Sequence, residues 1–291
     1  MSKILVTHDG KFHADDVFAV ATILLAEEGV TVVRTRDEKR IADADCVVDV
    51  GGIYDEEKGR FDHHQPSGAG VRASTIPYAS FGLVWKRYGE KLAGSKAIAQ
   101  KVDDTLVAPV DANDSGFDLS VPKFTDIFSY EVSDMVRAFT PTWEEDDSLA
   151  DEHFSEVILF AKRIIEREIN RAKAVIKGEE QVEQAVLTAP DKRLIMLPVD
   201  YSWKSVLAKV SEPLYVVHPQ GDTWRLYCVR DNPHVFKNRK DLPSAWAGLR
   251  GEEFVKVTGV SDAVFAHRNR FMAVAKTREG AVALAEIALN S

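Results

Sequence analysis

The first hundred residues alternate short apolar runs with patterns of helical period. Four β-rich runs are predicted as strands, at residues 2–8, 31–35, 45–50 and 59–63. A helix is predicted at residues 17–28, because Asp15 and Asp16 precede it and acidic side chains are favoured where a helix begins. Two further helical patterns follow, at residues 77–92 and 95–107. Strands that alternate with helices at this spacing predict βαβ units and a parallel sheet.

A polar, turn-rich stretch at residues 111–150 interrupts this pattern, with a helix predicted around residues 126–138. One long helical pattern then covers residues 151–185, and Gly178 is a candidate interruption of it. Three more strands are predicted at residues 193–199, 214–218 and 224–229, and a closing helix at residues 280–288.

The length of 291 residues exceeds what one hydrophobic core usually supports, so two domains are predicted. The predicted fold class is α/β. We expect an N-terminal domain at residues 1–150, with a parallel sheet flanked by helices. A helical connector at residues 151–190 and a smaller α/β C-terminal domain at residues 191–291 complete the prediction.

The composition is that of an ordinary globular protein, with 45% hydrophobic and 29% charged residues. No apolar run approaches the roughly 20 residues that cross a bilayer, and the N-terminus lacks the pattern of a secretory signal. We therefore predict a cytoplasmic protein without a membrane partner. Cys46 and Cys228 lie far apart in apolar, strand-like runs, which predicts buried free thiols.

The net charge of −9 conceals a division along the chain. Residues 191–291 contain 15 basic and 11 acidic residues, a net charge of +4, whereas residues 1–190 contain 22 basic and 35 acidic residues, a net charge of −13. An acidic half suits cations and a mildly basic half suits a polyanion, although ordinary surface composition also explains both values.

Histidine and aspartate residues gather at the ends of the predicted strands. Four of the eight histidines fall within the first 64 residues, and each lies within two positions of an aspartate. Four groups result: His8, Asp9, His13, Asp15 and Asp16; Asp49; Asp62, His63 and His64; and Asp111 and Asp114.

These groups predict a metal site. Ligands of open α/β sheets bind beyond the carboxyl ends of the strands, where residues distant in sequence converge. Imidazole with carboxylate suits Mn²⁺, Mg²⁺, Zn²⁺ or Fe²⁺, and two ions about 4 Å apart share a bridging ligand. Each group alone has an ordinary alternative: Asp49 as a turn or capping residue, the two adjacent histidines as structural, Asp15 or Asp16 as a helix N-cap. Their joint presence favours the metal site.

The segment RFDHHQ at residues 60–65 resembles the signature of the DHH phosphoesterase superfamily. The opening THDGKFHADD, together with DVGG, FDHHQ, VDANDSG and WAGLRGEEF, closely resembles the melanocyte proliferating gene family over nearly the whole chain. His13 stands where DHH proteins usually have an aspartate. The resemblance implies a DHH-type N-terminal domain and, from the eukaryotic members of the family, a 3′→5′ RNA exonuclease.

The resemblance also implies two divalent ions, with Mn²⁺ as the first candidate and Mg²⁺, Zn²⁺ or Fe²⁺ as alternatives. The implied ligands are His8, His13 and Asp49 for one ion, and Asp15, Asp49, His63 and either Asp111 or Asp114 for the other. Asp49 would bridge the ions, and Asp111 is preferred over Asp114. His64 would contact the scissile phosphate or donate a proton, and Asp62 would orient a ligating histidine.

Substrate choice is predicted to lie in the C-terminal domain, which in DHH enzymes closes over the metal site. The candidate contacts are His267, Arg268, Arg270, Arg250 and Trp246. A strand followed by His267 and Arg268 suits a phosphate group. Trp246 is preferred over Trp203 and Trp224 for stacking on a base, with a core position as the alternative for each.

The predicted function is that of a metal-dependent phosphoesterase. An exonuclease or oligonucleotide phosphodiesterase that uses a hydroxide activated by two metal ions is favoured. A small-molecule phosphatase, pyrophosphatase or nucleotide phosphodiesterase is the alternative, because a charge of +4 is modest for a polymer-binding half. A non-catalytic metal-binding scaffold ranks third. RNA or a short oligonucleotide is the predicted partner, and a homo-oligomer is left open.

Overall fold

The computed structural model describes residues 2–291, in which the chain divides into two compact units, one up to Lys173 and one at Ala174–Ser291. Each unit contains one five-stranded sheet with helices packed against it. The mixed α/β class is therefore confirmed. The division falls within a single 39-residue helix (Ala150–Thr188), in the segment for which a helical connector is predicted.

The sheet of the first unit is mostly parallel. Its strands are β1 (Lys3–Thr7), β2 (Val30–Arg34), β3 (Cys46–Val48), β4 (Tyr54–Asp55) and β5 (Arg60–Phe61). They lie in the order β2-β1-β3-β5-β4, and the β4–β5 pair is antiparallel. The four predicted strands are present, with the fourth shortened to β5. The two residues of β4 are too few to give a sequence pattern.

The helices of the first unit are α1 (Ala14–Ala26), α2 (Glu38–Asp43), α3 (Ser80–Ala93), α4 (Lys96–Val102), α5 (Ala108–Asp114), α6 (Val132–Arg137) and α7 (Ala150–Thr188). They include two that the sequence did not predict, α2 and α5, and one that is shorter than predicted, α6. A π-helical turn, Asp103–Val107, connects α4 to α5, and Pro109 is accommodated near the start of α5, where a missing N–H is tolerated. Asp111 and Asp114 therefore lie on a helix rather than in a turn-rich stretch.

The helix predicted at residues 126–138 is limited to α6, because the large apolar side chains of residues 117–130 are exposed.

The second unit contains a mainly antiparallel sheet. Its strands are β6 (Leu194–Met196), β7 (Tyr215–Gln220), β8 (Thr223–Cys228), β9 (Ala263–Ala266) and β10 (Met272–Ala275), in the order β6-β7-β8-β10-β9. Its helices are α8 (Lys204–Leu207), α9 (Gly251–Thr258) and α10 (Arg278–Asn290), together with the end of α7. Leu284 and Ala285 of α10 pack on one face of the sheet. The predicted closing helix is confirmed, as are the three predicted strands.

Three smaller expectations are settled by the same structure. Gly178 does not interrupt α7, and the ring of Tyr201 packs close to its Cα. Cys46 and Cys228 are free, and burial raises the pKa of each thiol to about 12. None of the helices in residues 2–291 combines the length and apolar character that a membrane span requires.

Candidate metal centre

The register of the first sheet brings three of the predicted groups to one edge. Thr7 pairs with Val48, and Val48 pairs with Phe61. The residues that directly follow β1, β3 and β5 are His8, Asp49 and Asp62, respectively. All three therefore lie at the carboxyl ends of parallel strands.

Asp49 lies in a sharp turn that the following glycines make available. Its φ is 56°, in the left-handed region, which a non-glycine residue seldom adopts and which is concentrated at functional sites. Gly51 and Gly52 follow with φ values of 94° and 69°. The N–H of Asp49 donates to the carbonyl of Phe61 at 3.1 Å, and the N–H of Gly52 donates to Oδ2 of Asp62 at 2.5 Å. These two hydrogen bonds connect the turn after β3 to the RFDHHQ segment at residues 60–65.

Asp15 and Asp16, in the first turn of α1, are both fully buried at this edge. Asp15 accepts the N–H groups of Ser80 and Phe81 at 2.9 and 2.7 Å, so it also caps the start of α3. One oxygen of Asp16 accepts the N–H of His13 at 2.7 Å, and the other lies 3.4 Å from Nε2 of His8. The N-cap of α1 is His13 and not either aspartate; Asp16 closes the capping box from the third helical position, which leaves one of its oxygens facing the centre.

The donor atoms fall into three overlapping groups in which all atoms of a group lie within 4.8 Å of one another. These groups are His8, His13, Asp16 and Asp49; Asp49, His63 and His64; and Asp15, His63 and Asp114. Such spacing is that of atoms bound to one ion through bonds of about 2 Å. Asp49 belongs to two groups, with Oδ2 at 3.3 Å from Nε2 of His8 and Oδ1 at 3.4 Å from Nε2 of His63.

Asp111 and Asp114 face different partners, although they are only three residues apart on α5. Asp111 is fully buried, pairs with Arg72 at 2.7 Å and accepts the N–H of Gly82 at 3.0 Å. A Cβ at Gly82 would overlap the Asp111 carboxylate. Asp114 instead lies 3.1 Å from Nε2 of His63. The geometry thus favours Asp114 over Asp111 as the candidate ligand from α5, because Asp111 faces Arg72 rather than a histidine donor.

The carboxyl groups of the centre differ in their protonation equilibria. Burial, reinforced by Asp49 and Asp114, raises the pKa of Asp15 well above its usual range, and burial raises that of Asp16 to about 7. Burial opposes ionisation of Asp49 as well, but the imidazoles of His63 and His8, whose Nε2 atoms lie 3.4 and 3.3 Å from its oxygens, outweigh burial and lower the pKa of this carboxyl.

His63 shows the complementary effect: burial disfavours its charged form, yet the nearby carboxylates of Asp114 and Asp49 raise its pKa to about 11.

Three buried atoms of the centre make no hydrogen bond: Nε2 of His8, Nε2 of His63 and Oδ2 of Asp16. An unpaired buried polar atom costs about 1–3 kcal/mol, and native proteins seldom retain several in one place. Divalent cations would satisfy these atoms and neutralise the surrounding carboxylates. The residues present therefore fit metal ions, and the acidic and histidine groups can hold them.

His64 and its neighbour Asp62 form the side of the centre nearest the solvent. Asp62 is buried, and its Oδ1 accepts from Nδ1 of His64 at 2.7 Å. Nδ1 of His64 is thereby engaged, while the side chain remains 63% exposed. Asp62 thus orients His64 rather than His63. Ser80, which the sequence did not single out, donates from Oγ to Asp49 at 3.2 Å.

The centre opens into a cleft of about 710 Å³. Lys11 and Arg137 are exposed cations on its wall, and Asn113, Ser115 and Thr140 add polar groups. The sequence did not lead us to predict Asp16 as a metal ligand, nor Lys11 and Arg137 as cations of the cleft. Lys11 lies between His8 and His13, and that position could have identified it. Nothing in the sequence around Arg137 indicates its place in the cleft.

The predicted substrate residues all lie in the second unit, with differing surroundings. His267 is half-buried in the turn between β9 and β10, and its Nδ1 accepts the N–H of Asn269 at 3.0 Å. Arg268 is exposed, and Arg270 pairs with Asp241 at 2.7 Å. Arg250 stacks over the ring of Phe265 at 4.8 Å.

Trp246 requires a correction. The side chain is 2% exposed and packs edge-to-face against Phe254, with 5.6 Å between the ring centroids. The ring belongs to the core of the second unit, so no face is available for stacking on a base.

Comparisons with known proteins identify relatives along nearly the whole chain. The family model MYG1_exonuc, described as an uncharacterised protein family (UPF0160), matches residues 4–289. "MYG1 exonuclease" of Homo sapiens is 30% identical over 325 residues, covering 97% of this chain and 85% of the relative. "MYG1 protein" of Chlamydia trachomatis is 30% identical over 287 residues, covering 94% and 92%. "MYG1 protein C694.04c" of Schizosaccharomyces pombe is 28% identical, covering 98% and 97%.

Among solved structures, an uncharacterized protein from Helicobacter pylori G27 aligns over 99% of this chain and 100% of that chain, at 10% identity. Its TM-score of 0.22 is too low to indicate a shared fold.

Proposed function

The chain belongs to the MYG1 family, and we propose that it is a metal-dependent exonuclease or oligonucleotide phosphodiesterase. The observation that carries the proposal is the placement of Asp49 between two groups of metal-ligating atoms. Relatives named exonucleases support a nuclease-type hydrolase. We include in the proposal that the first unit is a DHH-type domain, on the strength of the RFDHHQ segment, which begins with β5, and the order of its parallel strands.

Two divalent ions are proposed for the centre, with Mn²⁺ as the first candidate. His8, His13, Asp16 and Asp49 would hold one ion; Asp15, Asp49, His63 and Asp114 would hold the other. When bound, the ions supply Lewis acidity, which lowers the pKa of a water molecule and neutralises charge on the phosphoryl oxygens.

The chain itself positions the substrate and manages protons. Lys11 and Arg137, on the wall of the cleft, are suited to binding the non-bridging oxygens of a phosphodiester. Asp62 holds Nδ1 of His64, so Nε2 of this ring remains for the scissile phosphate. As the P–O bond to the leaving oxygen breaks and a bond from water forms, His64 is positioned to supply the proton that the leaving oxygen needs.

The alternative substrate is a small phosphorylated molecule, and the volume of the cleft is compatible with such a substrate. A volume of about 710 Å³ lies within the range of small-ligand sites, and two cations are few for a long polyanion. Steep suppression of oligonucleotide hydrolysis by salt would favour the polymer, because each phosphate contact releases counterions.

The test uses a short 5′-labelled RNA with Mn²⁺, the wild type and Asp49→Asn, with pyrophosphate as a second substrate. Asp43→Asn, at an exposed position of α2, is the matched control. We expect stepwise release of nucleotides by the wild type, a loss of rate of at least about a thousandfold in Asp49→Asn and no effect of Asp43→Asn. Turnover of pyrophosphate without RNA hydrolysis would move the function to the alternative. An unaffected Asp49→Asn variant would refute the centre.

A further inference from the structure

Arg34, the last residue of β2, is a buried cation to which the proposed function assigns no role. Strand pairing places Arg34 opposite Thr7, the residue that directly precedes His8. The loop at residues 9–12 follows His8 and leads to His13 at the start of α1. The side chain of Arg34 is only 4% exposed. A buried guanidinium requires polar partners, and those of Arg34 belong to this loop and to α7.

The guanidinium connects the loop to the first turns of α7. Nη2 of Arg34 donates to the carbonyl of Gly10 at 2.5 Å, and Nη1 donates to Oδ1 of Asp151 at 2.6 Å. The central carbon of the guanidinium also lies over the rings of Phe12 and Phe154, at 5.5 and 4.6 Å from their centroids. These two rings meet edge-on, with centroids 5.5 Å apart. One planar group therefore contacts the loop at two places and α7 at two places.

The backbone of the loop has few other attachments. Among the hydrogen bonds of residues 2–291, the one from Arg34 to Gly10 is the bond that joins the backbone of residues 9–12 to another element. The carbonyl of Asp9 is bonded locally, to Nδ1 of the adjacent His8 at 3.0 Å. Gly10 has a φ of 80°, and glycine does not by itself restrict the backbone to one conformation. The conformation of the loop therefore depends on Arg34.

The partners of Arg34 indicate that its contacts are not needed to neutralise a buried charge. The side chain of Asp151 is 75% exposed and Gly10 is exposed, so water can replace the guanidinium at both oxygens. Arg72, in contrast, pairs with the fully buried Asp111. In addition, Nε of Arg34 is buried without a hydrogen bond, which is unfavourable for stability. These features favour a role in the geometry of the loop over a role in folding.

We propose that Arg34 is a positioning residue, which holds the rings of His8 and His13 at the separation that one divalent ion requires. The two histidines stand at the two ends of the loop, with ring centroids 5.2 Å apart, and both belong to the same group of candidate ligands. The contacts of Arg34 with Gly10 and Phe12 fix the loop between them. Arginine suits this role because its guanidinium is a planar fork, whereas a lysine ammonium is a compact point charge. The inference rests on the proposed metal centre, although its first test requires no metal.

The first test observes the two histidine rings in the metal-free protein. With isotope-labelled histidine in EDTA, we expect a nuclear Overhauser effect between the ring hydrogens of His8 and His13 in the wild type. Arg34→Met, which removes the guanidinium, should lose this effect. The matched control is Arg36→Met, which removes a neighbouring exposed cation that lies 3.4 Å from Asp9 and should retain the effect. An unchanged effect in Arg34→Met, or its loss in Arg36→Met, would overturn the proposal.

The second test is calorimetric titration of the same proteins with Mn²⁺. Arg34→Met should weaken one of the two ions about 10 to 100-fold, as is found for residues that orient metal ligands, and leave the other unchanged. Removal of a positive charge should by itself favour a cation, so such a loss cannot arise from charge alone. Arg34→Lys should weaken the same ion although it retains the charge. Equal weakening of both ions, or wild-type affinity in Arg34→Lys, would overturn the proposal.

Urea unfolding separates positioning from folding. Arg34→Met should unfold cooperatively at nearly the wild-type midpoint, because its former partners become hydrated. If this variant does not fold, Arg34→Lys decides in its place: loss of the effect between the histidine rings supports the proposal, and a wild-type effect overturns it.

The two tests also distinguish this inference from the proposed function. A wild type that binds no metal, together with an Arg34→Met variant that loses the contact between the histidine rings, would remove the proposed function and leave the positioning role intact. A wild type that binds two ions and is matched by Arg34→Met in both tests would do the reverse.

Discussion

The metal centre of the first unit and a small aromatic cavity of the second unit, which is lined by Trp203, Tyr227, Phe236 and Phe271, consist of opposite kinds of side chain. The centre buries its charges: Asp15, Asp16 and Asp49 are at most 4% exposed, and three of its polar atoms lack hydrogen-bond partners. The aromatic cavity has rings in its wall, and among the residues that the structure describes its cations Arg230 and Lys204 form no ion pair with a carboxylate. An apolar wall is stable without a ligand, whereas buried unpaired polar atoms are costly. We therefore expect bound metal ions to stabilise the first site, and we expect the second to be stable without a ligand.

The largest expected effect concerns the side of the centre nearest the solvent. His64→Gln should reduce the rate of RNA hydrolysis by about 10² to 10⁴-fold, because a positioned proton donor contributes that much. Asp62→Asn should cost about 10 to 100-fold, since the ring remains but loses its orienting partner. Single-turnover rates at saturating Mn²⁺ measure both. His234→Gln, an exposed histidine of the second unit, is the control. A His64→Gln variant within a factor of two of the wild type would remove His64 from the chemistry.

Two changes on and beside α5 separate structural from metal-binding carboxylates. Arg72→Met should lower the free energy of unfolding by about 3–5 kcal/mol, because it leaves the buried Asp111 without its partner. Asp114→Asn should leave stability nearly unchanged without metal but weaken Mn²⁺ binding about 10 to 100-fold. Urea unfolding and calorimetric Mn²⁺ titration measure the two effects. The reverse assignment, with Asp111 as the ligand, would be favoured if Asp111→Asn weakened Mn²⁺ and Asp114→Asn did not.

Metal binding should stabilise the two units unequally. At a Mn²⁺ concentration 100 times the dissociation constant, a site present only in the folded state adds about 2.7 kcal/mol. Amide hydrogen exchange should therefore slow in α1 and α3, which carry or contact the donors, and remain unchanged in β7 and β8. The second unit is the internal control. Equal slowing in both units would contradict a metal effect confined to the centre.

The smallest effect is a pH dependence of the metal-free protein. Burial raises the pKa of Asp16 to about 7, so the folded state holds a proton that the unfolded state releases near pH 4. Its contribution to stability is complete below about pH 4 and is lost as the pH rises through about 7, with a slope of up to about 1.4 kcal/mol per pH unit. In EDTA, urea unfolding of Asp16→Asn should therefore depend less on pH between 5 and 7 than that of the wild type. Parallel curves for the two proteins would show that Asp16 does not titrate in this range.

The sequence predicted the metal centre better than the aromatic cavity for a physical reason. Strands end where turn residues and polar side chains begin, so His8, Asp49 and Asp62 could be placed at one edge of a parallel sheet. Trp203, Tyr227 and Phe271 come from a helix start, a strand and a turn, and no periodicity relates them. Their proximity depends on tertiary packing.

Within the centre, the sequence failed where neighbouring carboxylates resemble one another. In the sequence, Asp15 and Asp16 are equivalent acidic residues at the start of a helix. Only the packing of α1 in the structure shows that both are buried. Asp111 and Asp114 differ only in their tertiary partners, Arg72 and His63, and these are not visible in the sequence pattern.

The most direct test of the account is the number and coupling of bound Mn²⁺ ions. Equilibrium dialysis and electron paramagnetic resonance on the same sample should give two ions per chain with a spin-coupled spectrum, because one carboxylate, Asp49, would join them. Asp49→Asn should abolish the coupling, while Asp43→Asn should leave it intact. One ion per chain, or two ions without coupling in the wild type, would contradict a centre in which Asp49 serves both groups of ligands.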